Sequence, residues 1–191
     1  MPVICLVLSV MVFATACVNN FAVRELNNKA KAYMEQGNTE AAISRLEAGI
    51  DLDDGFYETY YNLAVACLKA EQNDKAINAL NSVLKLNPEF ADAYYSLGIA
   101  YSQKANALIE KYSEEFSENN PDKEDVELSV EQKSEICDNF SKSVENYKKY
   151  VSQKTDIQDK DNVLKEIDYI NLQLQKYNPE AETETVEVDA G

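Results

Sequence analysis

The chain has 191 residues, with 34 acidic and 18 basic side chains, a net charge of −16 and no histidine. The composition, with five glycines and four prolines, predicts an all-α protein of one domain with short appendages. The charge excludes nucleic acid as a partner, since phosphate recognition needs clustered Lys and Arg, and the lack of histidine argues against a zinc site or a histidine base. We therefore expect no nucleic-acid partner, no metal and no cofactor.

Most of the negative charge falls in two segments. Residues 113–138 hold ten acidic and two basic residues, and the residues after Asn178 hold five acidic residues and no basic ones. The tail, residues 178–191, has too few apolar side chains to offset the entropy of ordering, so we expect it to be disordered. The acidic segments either keep the protein soluble or bind a basic partner, and the sequence leaves both open.

The chain begins with an uncharged, largely apolar run from Val3 to Val18. Such a run is short for a bilayer-spanning helix but suits the core of a signal peptide. Its last residues, FATAC at 13–17, resemble the lipobox of bacterial lipoproteins. The resemblance implies that residues 1–16 are removed as a signal peptide and that Cys17 becomes the lipidated first residue. It also implies a bacterial cell envelope location, anchored through the lipid and facing the periplasm, with the outer membrane favoured where there are two membranes.

Other interpretations of this segment stay open. No Lys or Arg precedes the apolar run, and Ala14 stands where the lipobox usually has a larger aliphatic residue. The alternatives are an uncleaved anchor, an ordinary cleaved signal and a buried first helix. In the lipoprotein interpretation, residues 17–22 form a linker.

Two cysteines, Cys67 and Cys137, remain after this assignment. Cys67 lies on an apolar helix face, so we expect it to be a small buried residue. A disulfide between the two is the alternative in an oxidising compartment. The chain has no CxxC motif, which is a further reason to expect no metal.

A shift of the chain by 34 residues brings similar residues into register. The columns are Tyr33, Cys67 and Tyr101; Ala30, Ala64 and Gly98; Leu63 and Leu97; Tyr60 and Tyr94; Ala42 and Ala76; and Leu46 and Leu80. The second copy ends at Asn87-Pro88, where proline stops a helix. This pattern resembles the tetratricopeptide repeat, a hairpin of two helices that stacks on its neighbours. Small residues let the two helices approach closely, while Tyr and Leu fill the space between hairpins.

The resemblance and the periodicity predict an α-solenoid of three hairpins within a domain of residues 23–177. The repeats are residues 23–56, 57–90 and 91–155, with an insertion at 105–137 and a capping helix near 159–177. The third hairpin is elongated, because its second-helix signature arrives late and apolar residues from Ala105 to Phe116 continue the first helix. A capping box at Ser129 and Gln132 begins the returning helix. The apolar positions of that helix are Val130, Cys137, Phe140, Val144, Tyr147 and Val151.

In the tetratricopeptide family the first helix of each hairpin forms a concave wall that commonly holds a peptide or a helix of a partner. The 34-residue shift maps this wall onto Arg24, Glu58 and Asp92; Asn27, Tyr61 and Tyr95; Lys31, Val65 and Ile99; and Met34, Leu68 and Ser102. Its apolar members, Tyr61, Val65, Leu68, Tyr95 and Ile99, are the candidate partner-binding groove. The alternative is that another part of the chain covers them.

The resemblance implies a protein–protein interaction scaffold, here a lipid-anchored one that binds a peptide or helix of a partner in an envelope assembly complex. Asn62 falls at one position of a carboxylate clamp known in the family, and Lys31 lies nearby. Asp92 and Ser96 stand where the third repeat would need basic residues, so we reject the clamp. The alternatives are a cytosol-facing, membrane-anchored scaffold similar to a co-chaperone and, as a different class, an enzyme or its accessory subunit. No carboxylates form a recognisable catalytic arrangement, so we expect no enzyme and identify no catalytic residue.

Overall fold

The computed structural model describes the backbone of residues 2–120, 126–154 and 160–178, and side chains from residue 19 onward in those ranges. The described residues are helices and their connections, in agreement with the predicted all-α class. The helices are α1 (Pro2–Glu35), α2 (Thr39–Leu52), α3 (Tyr57–Lys69), α4 (Asn73–Leu86), α5 (Ala91–Asn119), α6 (Val130–Gln153) and α7 (Lys160–Tyr177). They divide between two compact units, Met1–Pro88 and Glu89–Gly191.

The first unit contains two helix hairpins, α1 with α2 and α3 with α4. Ala42, Ala64 and Ala76 have no exposed surface, because their methyl groups lie where the helices approach most closely. Leu46 and Leu80 fill the remaining core and are also fully buried. These residues come from the 34-residue columns, so the columns mark the core of this unit.

The turns inside these two hairpins repeat the same backbone geometry. Gly37 and Glu71, which are 34 positions apart, both adopt positive φ angles, of 74° and 57°. In each turn the next backbone N–H donates a 2.9 Å hydrogen bond to the carbonyl oxygen of Tyr33 or Cys67, which closes the helix end. The corresponding position in the third copy is Ala105, which is helical and fully buried. The chain therefore makes no turn there, and α5 continues.

Helix α1 extends further toward the N-terminus than the sequence predicted. Residues 17–22, assigned to a linker, are helical, since this stretch contains neither glycine nor proline. The backbone of Cys17 is therefore helical, and its side chain is not among those that the structure describes. Among the side chains of α1 that the structure describes, Val23 and Ala30 are buried. Across the described residues, no helix combines the length and the apolar character needed to cross a membrane.

The second unit consists of the long hairpin α5–α6 and of α7, which packs on α6. The core of this unit contains Ala105, Leu128, Ile136, Phe140, Val144, Tyr147, Val163, Ile167 and Ile170. Leu108, Ile109 and Tyr112 pack against it from the extended part of α5, and the Tyr112 hydroxyl donates a hydrogen bond to Glu135. The elongated third hairpin and the capping helix are therefore both confirmed.

Gly98 is the point of closest approach between α5 and α6. The Ser143 hydroxyl donates a 2.6 Å hydrogen bond to the Gly98 carbonyl oxygen. A Cβ atom at position 98 would lie 2.7 Å from the ring of Tyr147, which is itself buried. Only glycine fits this contact without displacing the ring.

The start of α6 confirms the capping box and corrects one core prediction. The Ser129 side chain accepts from the Gln132 backbone N–H, and the Gln132 side chain accepts from the Ser129 N–H. Val130, predicted to be on the apolar face, is 79% exposed, whereas Ile136 is fully buried. Residue 130 lies six positions before Ile136, which at 3.6 residues per turn places it about 120° away around the helix and outside the buried stripe.

Parts of the predicted connections and of the acidic tail lie outside the described residues. They are residues 121–125, 155–159 and 179–191.

Candidate functional site

Two adjoining cavities lie along helices α1 and α3 of the first unit. One has a volume of about 440 Å³ and the other about 350 Å³. Both are lined by Asn27, Asn28 and Asn62, which makes them two parts of a single surface groove. We name it the α1–α3 groove. Its remaining lining residues are Val23, Arg24, Ala30, Lys31, Met34, Leu46, Phe56, Glu58, Thr59, Val65 and Lys69.

A hydrogen-bond network joins the two helices in the floor of this groove. The Asn27 Nδ2 group donates to the Val23 carbonyl oxygen at 3.0 Å and to the Thr59 hydroxyl at 2.9 Å. The Asn62 Nδ2 group donates to Asn27 Oδ1 at 2.8 Å. Thr59 is 1% exposed, so its hydroxyl needs a partner within the protein, and Asn27 provides it.

The network fixes the orientation of both amides. A backbone carbonyl can only accept, so the atom of Asn27 that faces Val23 must be nitrogen and its other side-chain atom must be the oxygen. That oxygen can only accept, so Asn62 must turn its nitrogen toward it. Asn62, which is exposed, therefore retains one N–H and its Oδ1 for a ligand. This donor and acceptor complement the C=O and N–H groups that an extended peptide backbone presents.

The charges that line the groove are mainly positive, although the protein carries a net charge of −16. Arg24, Lys31 and Lys69 are exposed, and none forms an ion pair with another residue that the structure describes. Glu58 is the acidic residue among those lining the groove. Lys31 and Lys69 lie together at the end opposite to Arg24 and Glu58.

The predicted residues of α3 take different places around this groove. Val65 lines the larger cavity beside Met34, with the buried Leu46 also in its wall. Tyr61 and Leu68 are half-buried and are not among the residues that line either cavity. Of the three predicted apolar residues on α3, Val65 therefore lines the α1–α3 groove.

The predicted residues of α5 belong to the second unit and contact α6. The Tyr95 ring lies 5.7 Å from the ring of Tyr147 and 5.2 Å from that of Tyr150, and it remains 37% exposed. Ile99 packs against the core of α5–α7. Ile99 is therefore partly buried within the second unit.

Asp92, the acidic residue of the predicted wall on α5, is paired within the second unit. The Lys154 ammonium group lies 2.5 Å from an Asp92 carboxylate oxygen and 5.1 Å from the centre of the Tyr150 ring. The hydrogen bond to Asp92 raises the pKa of Lys154. Two opposite charges in contact offset each other, so this part of the wall is less acidic than its sequence indicates.

The cysteines and carboxylates form no metal-binding group in the described part of the chain. Cys67 is fully buried, as predicted, and burial raises the pKa of its thiol to about 11, which leaves it protonated and unreactive at neutral pH. Cys137 is half-buried, and both cysteines are free. Among the described residues, no group of three or more Cys, Asp or Glu could hold a metal ion.

Sequence reasoning missed five residues that line the groove: Val23, Asn28, Phe56, Thr59 and Lys69. Helical spacing could have revealed two of them. Asn28 lies four residues after Arg24, and Lys69 lies four residues after Val65, so each shares a helix face with a residue already assigned to the wall. Nothing in the sequence shows that Thr59 would meet Asn27, because only packing of α1 against α3 brings them together.

Residues 33–98 match the tetratricopeptide repeat family. The chain is also similar to the first tetratricopeptide-repeat domain of the human RPAP3 protein, whose structure was determined by NMR. The two are 16% identical over 84% of this chain and 98% of that domain, with a TM-score of 0.58. The family match and this likeness show that the chain has an all-α tetratricopeptide-repeat fold, as the sequence predicted.

Two crystal structures of MamA also align with the chain. One is 22% identical, covering 81% of this chain and 79% of MamA with a TM-score of 0.44. The other is 21% identical, covering 89% and 81% with a TM-score of 0.45. No match was found among curated proteins.

Proposed function

We propose that this protein is a protein–protein interaction scaffold whose α1–α3 groove binds an extended segment of a partner protein. The tetratricopeptide-repeat fold suggests an interaction scaffold. The observation that supports this particular site is the Asn27–Asn62 network, which leaves Asn62 with one N–H and one oxygen available for a ligand.

Binding in this groove would combine backbone and side-chain contacts. Asn62 can accept from a peptide N–H and donate to a peptide carbonyl, as a neighbouring strand would. The cavity beside Met34 and Val65 can take one aliphatic or aromatic side chain. Because Thr59 and Asn27 already hold Asn62 in place, binding loses little side-chain entropy at this amide.

The experiment selects 12-residue peptides from a random phage-displayed library on the immobilised full-length protein, then measures binding of labelled selected peptides by fluorescence anisotropy. We expect Asn62→Ala to weaken binding by about tenfold, because truncation removes the two contacts to the peptide backbone. Asn81→Ala is the matched control, since Asn81 is exposed on α4. Equal binding by wild type and Asn62→Ala would rule out the groove as the binding site.

The residues predicted from the sequence remain part of the proposal, each within its own unit. In the first unit, Tyr61 and Leu68 would extend the contact that Val65 makes in the α1–α3 groove. In the second unit, Tyr95 and Ile99 would contact a peptide or a helix of a partner. Tyr61→Ala and Tyr95→Ala test this extension, since each removes an aromatic contact while leaving Asn62 intact. Unchanged affinity in both variants would confine the site to the α1–α3 groove.

We also propose that the protein is anchored to a bacterial membrane by lipid on Cys17, faces the periplasm and acts in an envelope assembly complex. The support is the lipobox-like sequence that ends the apolar run.

Intact-mass measurement of the protein from its native membranes, beside a Cys17→Ser variant, tests this anchor. We expect a mature chain that begins at acylated Cys17 and is absent from the variant. A chain that retains Met1 in both would favour the alternative, a cytosol-facing, membrane-anchored scaffold.

Proteins with this fold are generally scaffolds without catalytic activity. We propose that the same holds here. A hydrolase substrate panel tests it: turnover that disappears when one carboxylate is replaced would contradict the proposal.

A further inference from the structure

We infer that the α1–α3 groove selects an acidic segment, in which a side-chain carboxylate lies beside an apolar residue and is held by Lys31 and Lys69. This inference rests on the proposed function, because it names the class of partner for the same groove. It differs from a carboxylate clamp, since the carboxylate belongs to an internal side chain and no free C-terminus is needed.

The first support is that Lys31 and Lys69 form no ion pair with another described residue. Several lysines on other surfaces are already paired with acidic side chains: Lys29 with Glu25, Lys75 with Glu47, Lys111 with Glu115, Lys142 with Asp138, Lys149 with Glu145 and Lys154 with Asp92. Within the described residues, Lys31 and Lys69 have no such ion pair. They therefore remain available for charges that a ligand brings.

The second support is the composition of the cavity. Lys31 and Lys69 line the same 440 Å³ cavity as Met34 and Val65, and no acidic residue lines it. Lysine stems can extend along an apolar surface while their ammonium groups stay in water. A ligand with an apolar side chain in this cavity would therefore place its neighbouring side chain within reach of two cations.

Electrostatics also determines where on the protein an acidic segment would bind. The whole protein carries a charge of −16, which repels an acidic ligand at long range. A cationic cavity lowers that repulsion only where Lys31 and Lys69 lie, so charge complementarity would determine where and in which register an acidic segment binds. Binding should weaken as salt is raised, since these lysines are exposed.

The phage selection described above also tests this inference, because peptides displayed at the N-terminus of a coat protein have no free C-terminus. Selection is run against the full-length wild type, a Lys31→Gln/Lys69→Gln variant and a Lys29→Gln control. Lys29 lies on the same helix as Lys31 but is already paired with Glu25. We expect Asp or Glu beside an apolar residue to be enriched on wild type and on the control, and not on the double variant.

Affinity measurement with a selected acidic peptide gives the magnitude. The double variant should bind about 2- to 30-fold more weakly than wild type, the range expected for two exposed charge pairs. Glutamine substitution of exposed lysines should leave the fold intact, which a far-UV circular dichroism spectrum checks.

The outcomes separate the two proposals. Peptides that depend on Asn62 but show no acidic preference, or an acidic preference that persists in the double variant, would overturn the inference and leave the groove standing. Absence of any binding that depends on Asn62 would overturn both.

Discussion

Substitution of Gly98 by alanine should destabilise the second unit, although alanine is the better helix former. A Cβ atom at this position would lie 2.7 Å from the Tyr147 ring. Carbon atoms pack at about 3.5–4.0 Å, so the ring would have to withdraw by about 0.8 Å. Tyr147 is 2% exposed and has little room to move.

Two opposing effects determine the size of the change. Overpacking of a core lowers the free energy of unfolding by about 1–3 kcal/mol, whereas replacing glycine by alanine inside a helix raises it by about 1 kcal/mol. Because Tyr147 is confined, we expect the upper part of the overpacking range and a net loss of about 1–2 kcal/mol in the free energy of unfolding.

Urea denaturation followed by far-UV circular dichroism measures this loss. Gly49→Ala is the matched control, since a Cβ atom there meets Thr59 Cγ2 at an ordinary 3.4 Å. That variant should be as stable as wild type or more stable, by up to about 1 kcal/mol. A Tyr147→Leu background should remove most of the Gly98→Ala penalty, because it removes the ring. A Gly98→Ala variant as stable as wild type would refute the close contact between α5 and α6.

Four further predictions each rest on one local feature. Glu71→Gly should raise the free energy of unfolding by about 0.5–1 kcal/mol, because Glu71 has a φ of 57° that glycine adopts freely; an unchanged or lower melting temperature would contradict this. Ser129→Ala should lower stability by about 1 kcal/mol in urea denaturation by removing the cap of α6, whereas Ser134→Ala, on the exposed face of α6, should change it little. Cys67 should resist a thiol reagent such as DTNB in the folded protein, while the half-buried Cys137 reacts first. Because burial raises the pKa of Cys67 from 9.0 to about 11, the folded state holds this proton more tightly and stability should fall as pH rises between those values; Cys67→Ala should lose that part of the pH dependence.

The sequence predicted the hairpins well because their packing depends on local, repeated residue types. Alanine at 42, 64 and 76 belongs to columns that recur every 34 residues, which marks places where helices approach closely, and these residues are fully buried. The long third hairpin was also predictable. Both of its signals, the apolar spacing of α5 and the capping box of α6, lie within a single helix and can be recognised without knowing any tertiary contact. The helical state of residues 17–22 was missed because a linker was inferred from the lipobox and not from helix propensity.

The binding surface was less predictable, because it depends on contacts between residues far apart in the chain. Periodicity placed Asp92 on the wall but could not show that Lys154, at the end of α6, pairs with it. It also placed Asn27 there without showing that Thr59 on α3 fixes its amide. A repeat pattern specifies which face a residue occupies, whereas its hydrogen-bond and charge partners follow from the packed structure.

The central claim is that the α1–α3 groove holds an extended segment of a partner. Titration of ¹⁵N-labelled full-length protein with a selected peptide, followed by two-dimensional NMR, tests it most directly. We predict that the largest chemical-shift changes fall on α1 and α3, centred on Asn27 and Asn62 and including the side-chain amide of Asn62. Changes confined to α5–α7, or an Asn62 amide unaffected at saturation, would contradict the account.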